Sequence, residues 1–355
     1  LWVDLTSTRM YITGGVGSRY EGESIGEPYE LPNDRAYSET CAAVANVMWN
    51  YRMLLATGDA KYADTMELAL YNAALAGISL DGKSFFYVNP LASRGGHRRQ
   101  PWFDVACCPP NIARLIASLP GYIYSTSSDG VWIHLYVASE AKVNLNGNIV
   151  ELNVNTNYPW DGEVKITVNP SKEDEFTVYL RIPGWSHGSK LFINGKEQDL
   201  ELTPSTYIGV KRAWRSGDEL ALRIPMPIEL ITSHMHVLAN TSRVAIKRGP
   251  LVYCLEQVDN PGVDVWNIAL KSSCNLEARY VKDLLNGIVV IEGDAYEVKV
   301  EGQGELYRPI NGVKVNLRPI KFRAIPYYAW ANRDPGPMTV WVPLIDYYSK
   351  ATNLT

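Results

Sequence analysis

The sequence predicts a mixed α+β, multidomain chain that starts helical and continues as two β-sandwich domains. Three observations predict it. Apolar residues recur at three- and four-residue steps between Tyr37 and Leu75. From about residue 122 the apolar period changes to two. Turn residues then punctuate the chain every ten residues or so. A length of 355 residues suffices for two or three domains.

Residues 1–35 are rich in Gly, Pro and charge and read as ordered loop. A helix is expected over Tyr37–Ala56, with Val44, Val47, Met48, Tyr51, Leu54 and Leu55 on its apolar face and Gly58 as its stop. A second is expected over Ala60–Leu75, with Tyr62, Met66, Leu70 and Ala73 on one face and Gly77 ending it. Two antiparallel helices joined this closely look like one hairpin of an α/α toroid. Residues 78–105 read as extended loops with a short strand at Phe85–Val88. A third helix is expected from Pro109-Pro110 to about Leu119, because proline's missing N–H costs nothing in a first turn.

The β region then divides into two sets. Strands of the first include Gly130–Val137, Ile149–Val154, Val164–Val168, Phe176–Ile182 and Lys190–Lys196, with Asn194-Gly195 as a hairpin turn. The second begins near residue 229. It includes Arg243–Lys247, Leu251–Leu255, Gly287–Ile291, Tyr296–Val300, Val313–Leu317 and Thr339–Pro343. Domain boundaries are therefore expected at 1–126, 127–228 and 229–355.

Composition narrows the partners. The formal net charge is -4 and no basic stripe runs along any segment, which argues against nucleic acid. No apolar run approaches the roughly 20 residues of a membrane span. Tyr and Trp outnumber Phe, 22 and 10 against 6, and such amphipathic rings suit carbohydrate faces as well as sandwich cores. Five cysteines, Cys41, Cys107, Cys108, Cys254 and Cys274, do not read as a disulfide framework. Metal binding or catalysis in a reducing, cytoplasmic compartment is the expectation. The start, Leu1-Trp-Val-Asp-Leu, lacks the basic head and apolar run of a signal peptide. It begins with Leu rather than Met, which suits a processed or truncated piece.

Two segments carry candidate chemistry. Ala36-Tyr-Ser-Glu-Thr-Cys holds Glu39 and Cys41, and Phe103-Asp-Val-Ala-Cys-Cys-Pro-Pro holds Cys107 and Cys108. Three thiols and a carboxylate can make a four-coordinate zinc site. The spacing is not that of a zinc finger. Glu39 and Cys41 lie about 200° apart around a regular helix, so both reach one ion only if this stretch is non-helical or distorted. Spacing leaves three readings open: a zinc site, buried free cysteines, or a vicinal disulfide at Cys107-Cys108.

Longer motifs narrow the choice. Tyr11-Ile-Thr-Gly-Gly-Val-Gly-Ser, Gly22-Glu23, Leu31-Pro-Asn-Asp, Tyr37-Ser-Glu-Thr-Cys-Ala, Cys107-Cys-Pro-Pro-Asn and Arg248-Gly-Pro-Leu-Val-Tyr together resemble glycoside hydrolase family 127, the β-L-arabinofuranosidases. The resemblance covers essentially the whole chain. It implies that residues 1–126 are the C-terminal portion of an (α/α)6 toroid, followed by the two β-sandwich domains. It implies Zn2+ as cofactor, held by Glu39, Cys41, Cys107 and Cys108. It also implies Cys107 as nucleophile, Glu23 as general acid/base, and Tyr87 as a substrate-binding tyrosine beside the nucleophile. The implied reaction is retaining, exo-acting release of β-L-arabinofuranose, with a cysteine thiolate replacing the usual carboxylate. The implied partner is an arabinofuranose-containing glycan or glycopeptide.

The rivals are a hydrolase of another glycoside on the same scaffold and a non-catalytic, zinc-stapled carbohydrate-binding fragment. The family's toroid has about twelve helices and only three are expected here. A missing N-terminal half or a homodimer partner is therefore expected to complete the pocket, and the chain alone is expected to hydrolyse poorly.

Other polar residues have plainer readings. Glu27 and Glu30 are expected in solvent, and Asp34 and Asp104 as caps or supports of flanking segments. His97 is expected in a surface loop, His234 and His236 on a strand, and Cys254 and Cys274 as packing residues.

Overall fold

A computed structural model describes residues 1–302, 306–307 and 309–348. Its chain is mixed α and β and forms two compact units, which interleave in sequence. One comprises Leu1–Ala42, Asn72–Cys108 and the described residues from Ile228 onward; the other comprises Ala43–Tyr71 and Pro109–Pro227.

The helices are α1 (Trp2–Thr8), α2 (Thr40–Thr57), α3 (Ala60–Leu68), α4 (Cys108–Ser118) and α5 (Pro120–Ile123). Helix α1 lies where only loop was expected; it buries just Leu5, too little to leave an apolar period. Helix α2 starts three residues later than its apolar pattern suggested. It buries Val44, Val47, Tyr51 and Leu54, while Leu55 faces solvent. Gly58, at φ +74°, ends it by donating its N–H to the Leu54 carbonyl at 2.8 Å. Helix α3 keeps its expected face but widens into a π turn over Ala69–Ala74. Asn72 in that turn donates to the Pro250 carbonyl and accepts the Val252 N–H. Pro109 and Pro110 occupy the first turn of α4, as expected. Among the described residues no helix is long and apolar enough to cross a membrane.

In the second unit, a four-stranded sheet runs Thr206–Trp214, Asp174–Ile182, Gly130–Ile133, Tyr124–Ser127. A six-stranded one runs Ser139–Leu145, Asn148–Thr156, Glu163–Pro170, Asp218–Arg223, Lys190–Ile193, Lys196–Glu197. Alternate residues from both enter one apolar core: Val131, Ile133, Val178, Leu180 and Trp214 from the first, Val150, Leu152, Ile166, Leu220 and Leu222 from the second. Asn194 and Gly195, at φ +48° and +77°, make the expected hairpin turn.

In the first unit, antiparallel strands order Ala92–Arg94, Pro337–Thr339, Leu251–Glu256, Val315–Pro326, Ile288–Val300, Ile268–Ala269. Arg243–Arg248 branches from Leu251–Glu256 and pairs with Ile228–Ile231 and Trp341–Pro343. The two strands expected over Gly287–Val300 are one continuous strand. The strand expected over Thr339–Pro343 is split between two partners at Val340, whose N–H is taken by the Leu91 carbonyl at 2.9 Å. All six residues of Leu251–Glu256 are buried, Cys254 among them as a packing residue. This sheet grips the loop before Ala92: the Tyr327 hydroxyl lies 3.0 Å from the carbonyls of both Asn89 and Pro90. That grip places residues 85–91 beside the cysteines.

Candidate active site

The site assembles within the first unit, from three segments far apart in sequence. The first is the hairpin Arg19–Ser24, whose ends exchange backbone hydrogen bonds at 3.2 Å. At its tip Gly22 and Glu23 are left-handed, φ +68° and +50°, and Glu23 is solvent-exposed. Such a conformation is unfavourable for a residue with a Cβ and persists only where neighbours enforce it. Glu23 N–H donates to the Tyr20 carbonyl, and the Tyr37 hydroxyl donates to Glu23 Oε1 at 2.7 Å.

The second segment is Tyr37–Cys41. Ser38 is left-handed, φ +35°, and its N–H is held by the Gly17 carbonyl at 2.7 Å. Glu39 lies outside α2, paired with Val88 as an isolated bridge. Thr40 donates its N–H to the Tyr87 carbonyl and its hydroxyl to the Phe86 carbonyl. Asn89 Nδ2 lies 2.9 Å from the Ser38 carbonyl and 3.0 Å from Thr40 Oγ1. Glu39 is therefore extended and Cys41 helical, which removes the 200° conflict of a regular helix. Gly15 leaves room for this path: a Cβ there would fall 2.1 Å from Ser38 Oγ.

The third segment is Cys107-Cys108, with Cys107 just before α4 and Cys108 its first residue. Cys107 Sγ lies 3.2 Å from Glu39 Oε1 and 3.3 Å from the Tyr87 hydroxyl. Cys108 Sγ lies 3.5 Å from Cys41 Sγ and 3.7 Å from Glu39 Oε1. The two adjacent sulfurs are 3.7 Å apart, so they form no disulfide, whose S–S bond is about 2.05 Å.

The ligand atoms of Glu39, Cys41, Cys107 and Cys108 all lie within 4.8 Å of one another, a group that could hold a metal ion. The donor set and its spacing fit zinc. Tetrahedral bonds of about 2.3 Å put neighbouring sulfurs about 3.8 Å apart. Contact with Cys41, followed by burial, pushes the Cys108 thiol well up, and burial pushes Cys107 up. Three thiols this close cannot all ionise without a compensating cation.

Aromatic rings flank the sulfurs. The Tyr37 and Tyr87 centroids are 6.3 Å apart, and Phe103 meets Tyr87 edge-on at 5.5 Å. The Tyr87 hydroxyl also lies 3.4 Å from Glu23 Oε1, so one oxygen neighbours both Glu23 and Cys107. Contact with Cys107 raises the Tyr87 pKa, and burial, then Glu23, raises that of Tyr37. Tyr37 stands inside a quoted motif, yet nothing in its spacing marked it for the site.

Glu23, Glu39, Cys41, Tyr87, Cys107 and Cys108 thus all come together. Several other expectations need correction. His97 lies in a loop, as expected, but is half-buried there: its ring stacks on Phe86 and Trp330, centroids 4.5 and 5.7 Å away, and Nε2 meets the Val88 carbonyl at 3.0 Å. Glu30 is not simply solvated, because the Arg19 guanidinium grips its carboxylate and holds its pKa down at about 2. Glu27 is exposed, as expected. Asp34 occupies an exposed turn six residues before α2 starts, too early to cap it, and Asp104 is exposed. His234 and His236 follow a strand that ends at Ile231, and they pack around Tyr29. Cys274 is only half-buried, in a turn.

Comparison with known proteins adds three family-model matches in chain order. They are the GH127 catalytic domain of beta-L-arabinofuranosidase over residues 1–121, the GH127 middle domain over 130–226, and the glycoside hydrolase family 127 C-terminal domain over 228–343. A curated relative, the non-reducing end beta-L-arabinofuranosidase of Bifidobacterium longum subsp. longum, is 40% identical over 96% of this chain and 54% of its own length. A solved GH127 beta-L-arabinofuranosidase from Geobacillus stearothermophilus T6 is 49% identical with a TM-score of 0.91, covering 97% of this chain and 56% of that one. A second solved GH127 beta-arabinofuranosidase is 37% identical with a TM-score of 0.90, covering 97% and 55%. The chain spans about half the length of the relatives it matches.

Proposed function

The chain belongs to glycoside hydrolase family 127, and from that premise we propose that it carries the reactive groups of a zinc-dependent β-L-arabinofuranosidase acting on an arabinofuranose-containing glycan. The observation that carries the reading is the convergence of Glu39, Cys41, Cys107 and Cys108 beside Glu23. In architectural terms, we read the segment up to residue 126 as part of an (α/α)6 toroid. The two regions 127–228 and 229–355 are read as β-sandwich domains.

Glu39, Cys41, Cys107 and Cys108 would hold Zn2+, whose positive charge would keep their thiols deprotonated. Cys107 Sγ then attacks the anomeric carbon, forming a C–S bond as the glycosidic C–O bond breaks. Glu23 gives its proton to the departing oxygen. In the second step Glu23 takes a proton from water, whose oxygen displaces the sulfur and restores the anomeric configuration. Both Glu23 Oε1 and Cys107 Sγ lie within 3.4 Å of the Tyr87 hydroxyl oxygen. That supports a short acid-to-nucleophile separation, about 5 Å in retaining enzymes generally. Exposed Glu23 is open to substrate, while Glu39 and Cys108 are buried, as a proton donor and structural ligands respectively require.

Metal analysis and turnover on aryl β-L-arabinofuranosides test the reading, with the chain assayed together with the N-terminal half or partner copy that completes its pocket. Cys107→Ala and Glu23→Gln should each leave a folded protein with turnover lowered at least about 100-fold. Normal turnover in either variant overturns its assigned role. Loss of folding in Cys107→Ala, with no effect of Glu23→Gln, would instead favour zinc acting only as a staple.

A further inference from the structure

The chemistry proposed for Glu23 leaves one contact without a purpose. The Tyr37 hydroxyl donates to Glu23 Oε1 at 2.7 Å, the shortest polar contact that Glu23 makes. The two residues differ sharply in freedom. Tyr37 is buried, its ring edge-on to Tyr20 at 5.0 Å, and its carbonyl accepts the Asn89 N–H at 3.3 Å. Glu23 is exposed at a hairpin tip in a left-handed conformation. A glutamate there would otherwise sample several rotamers, and one fixed donor removes that freedom. The second hydroxyl nearby, that of Tyr87, addresses the same oxygen at 3.4 Å. Among the described residues no hydrogen bond reaches Oε2.

We infer that Tyr37 is the positioning residue of Glu23, holding Oε1 as a hydrogen-bond acceptor so that the transferable proton rides on Oε2 and Oε2 faces the scissile bond. The inference rests on the acid/base role proposed for Glu23. A carboxylic acid carries its proton on one oxygen, and a proton on Oε1 would meet the hydrogen of Tyr37. The proton therefore leaves from Oε2 to the glycosidic oxygen as the C–O bond breaks. Oε2 takes a proton back from the attacking water as the C–S bond breaks. Tyr37 keeps its own proton throughout, so no further reactant is needed.

The test compares the metal-loaded protein, its pocket completed by the N-terminal half or partner copy, with Tyr37→Phe and Glu23→Gln on aryl β-L-arabinofuranosides whose leaving phenols range from weakly to strongly acidic. Strongly acidic phenols depart without protonation. Tyr37→Phe should lower kcat/KM about 10- to 100-fold for the weakly acidic phenols and less than about 3-fold for the most acidic. Zinc content should not change. Glu23→Gln should show the same graded loss more strongly. A loss in Tyr37→Phe that is uniform across the series, or absent, overturns the inference. Parent-like turnover in Glu23→Gln overturns the Glu23 assignment itself, whatever Tyr37→Phe does. A readout independent of turnover is the crystal structure of Tyr37→Phe: the Glu23 carboxylate should leave its position or spread over several rotamers. A carboxylate unmoved in a single rotamer refutes the role.

Discussion

Replacing Glu67 with glutamine should cost the second unit about 3–5 kcal/mol. Glu67 is on α3, 1% exposed, and Arg181, on the strand Asp174–Ile182, is fully buried. Glu67 Oε1 pairs with Arg181 Nη2 and accepts the Tyr158 hydroxyl at 2.6 Å, and Oε2 accepts Trp185 Nε1 at 3.2 Å. Arg181 also donates to the His134 carbonyl and to Asp64 Oδ1, both at 2.7 Å. Burial alone would pull the guanidinium's pKa down, but Glu67 and then Asp64 hold it well above its usual value. Glutamine keeps the shape, removes the charge, and turns an amide N–H₂ towards groups that are already donors. Among the described residues the buried cation then keeps only the part-exposed Asp64 as a charged partner, and breaking such a pair costs about 3–5 kcal/mol. At about 2–4 °C per kcal/mol, the thermal midpoint should fall by roughly 10 °C. Thermal and urea unfolding of Glu67→Gln, Arg181→Met and the double variant measure it. The double variant should be more stable than the sum of the single losses predicts, by at least about 2 kcal/mol. A single-variant loss below about 1 kcal/mol, or an additive cycle, refutes the reasoning.

Three further outcomes follow from other residues. His134 is buried, and burial, then Arg181, pulls its pKa down to about 3. The unfolded chain takes up that proton first, near pH 6.5. The contribution of His134 to stability is therefore full above about pH 6.5 and is lost as pH falls towards 3. Thermal midpoints measured across that window should fall, and His134→Gln should flatten the fall; an unchanged slope contradicts this. Cys41→Ala removes one of four converging donors. Bound zinc per chain after dialysis should drop below about half of the parent's, and full retention would remove Cys41 from the ligand set. Gly15→Ala drives a methyl to 2.1 Å from Ser38 Oγ, where the backbone is already left-handed. It should cost about 1–3 kcal/mol in unfolding and weaken metal binding through the adjacent Glu39, whereas parent-like stability would show that Ser38 yields freely.

The elements whose burial repeats along the chain were legible in the order of the amino acids. The faces of α2 and α3 and the alternating strands around the second unit's apolar core could be read because one buried side imposes a period of 3.6 or 2 on the residues that form it. The quoted motifs held five residues that meet at the site, Glu23, Glu39, Cys41, Cys107 and Cys108; the family resemblance added Tyr87, and nothing marked Tyr37. Where burial does not repeat, the reading failed: α1 buries only Leu5, and the π turn at Ala69–Ala74 contains Asn72, bonded to the distant backbone of Pro250 and Val252.

The convergence of the site residues rests on contacts between segments distant in sequence. Glu39 and Cys41 can face one point because pairing with Val88 and the left-handed Ser38 keep Glu39 out of the helix. Likewise His97 is drawn against Phe86 and Trp330, and Tyr37 is brought to Glu23, by contacts spanning up to 233 positions in sequence. A period records what one element buries. It carries no record of which distant backbone will hold that element's ends, and in this protein those ends carry the chemistry.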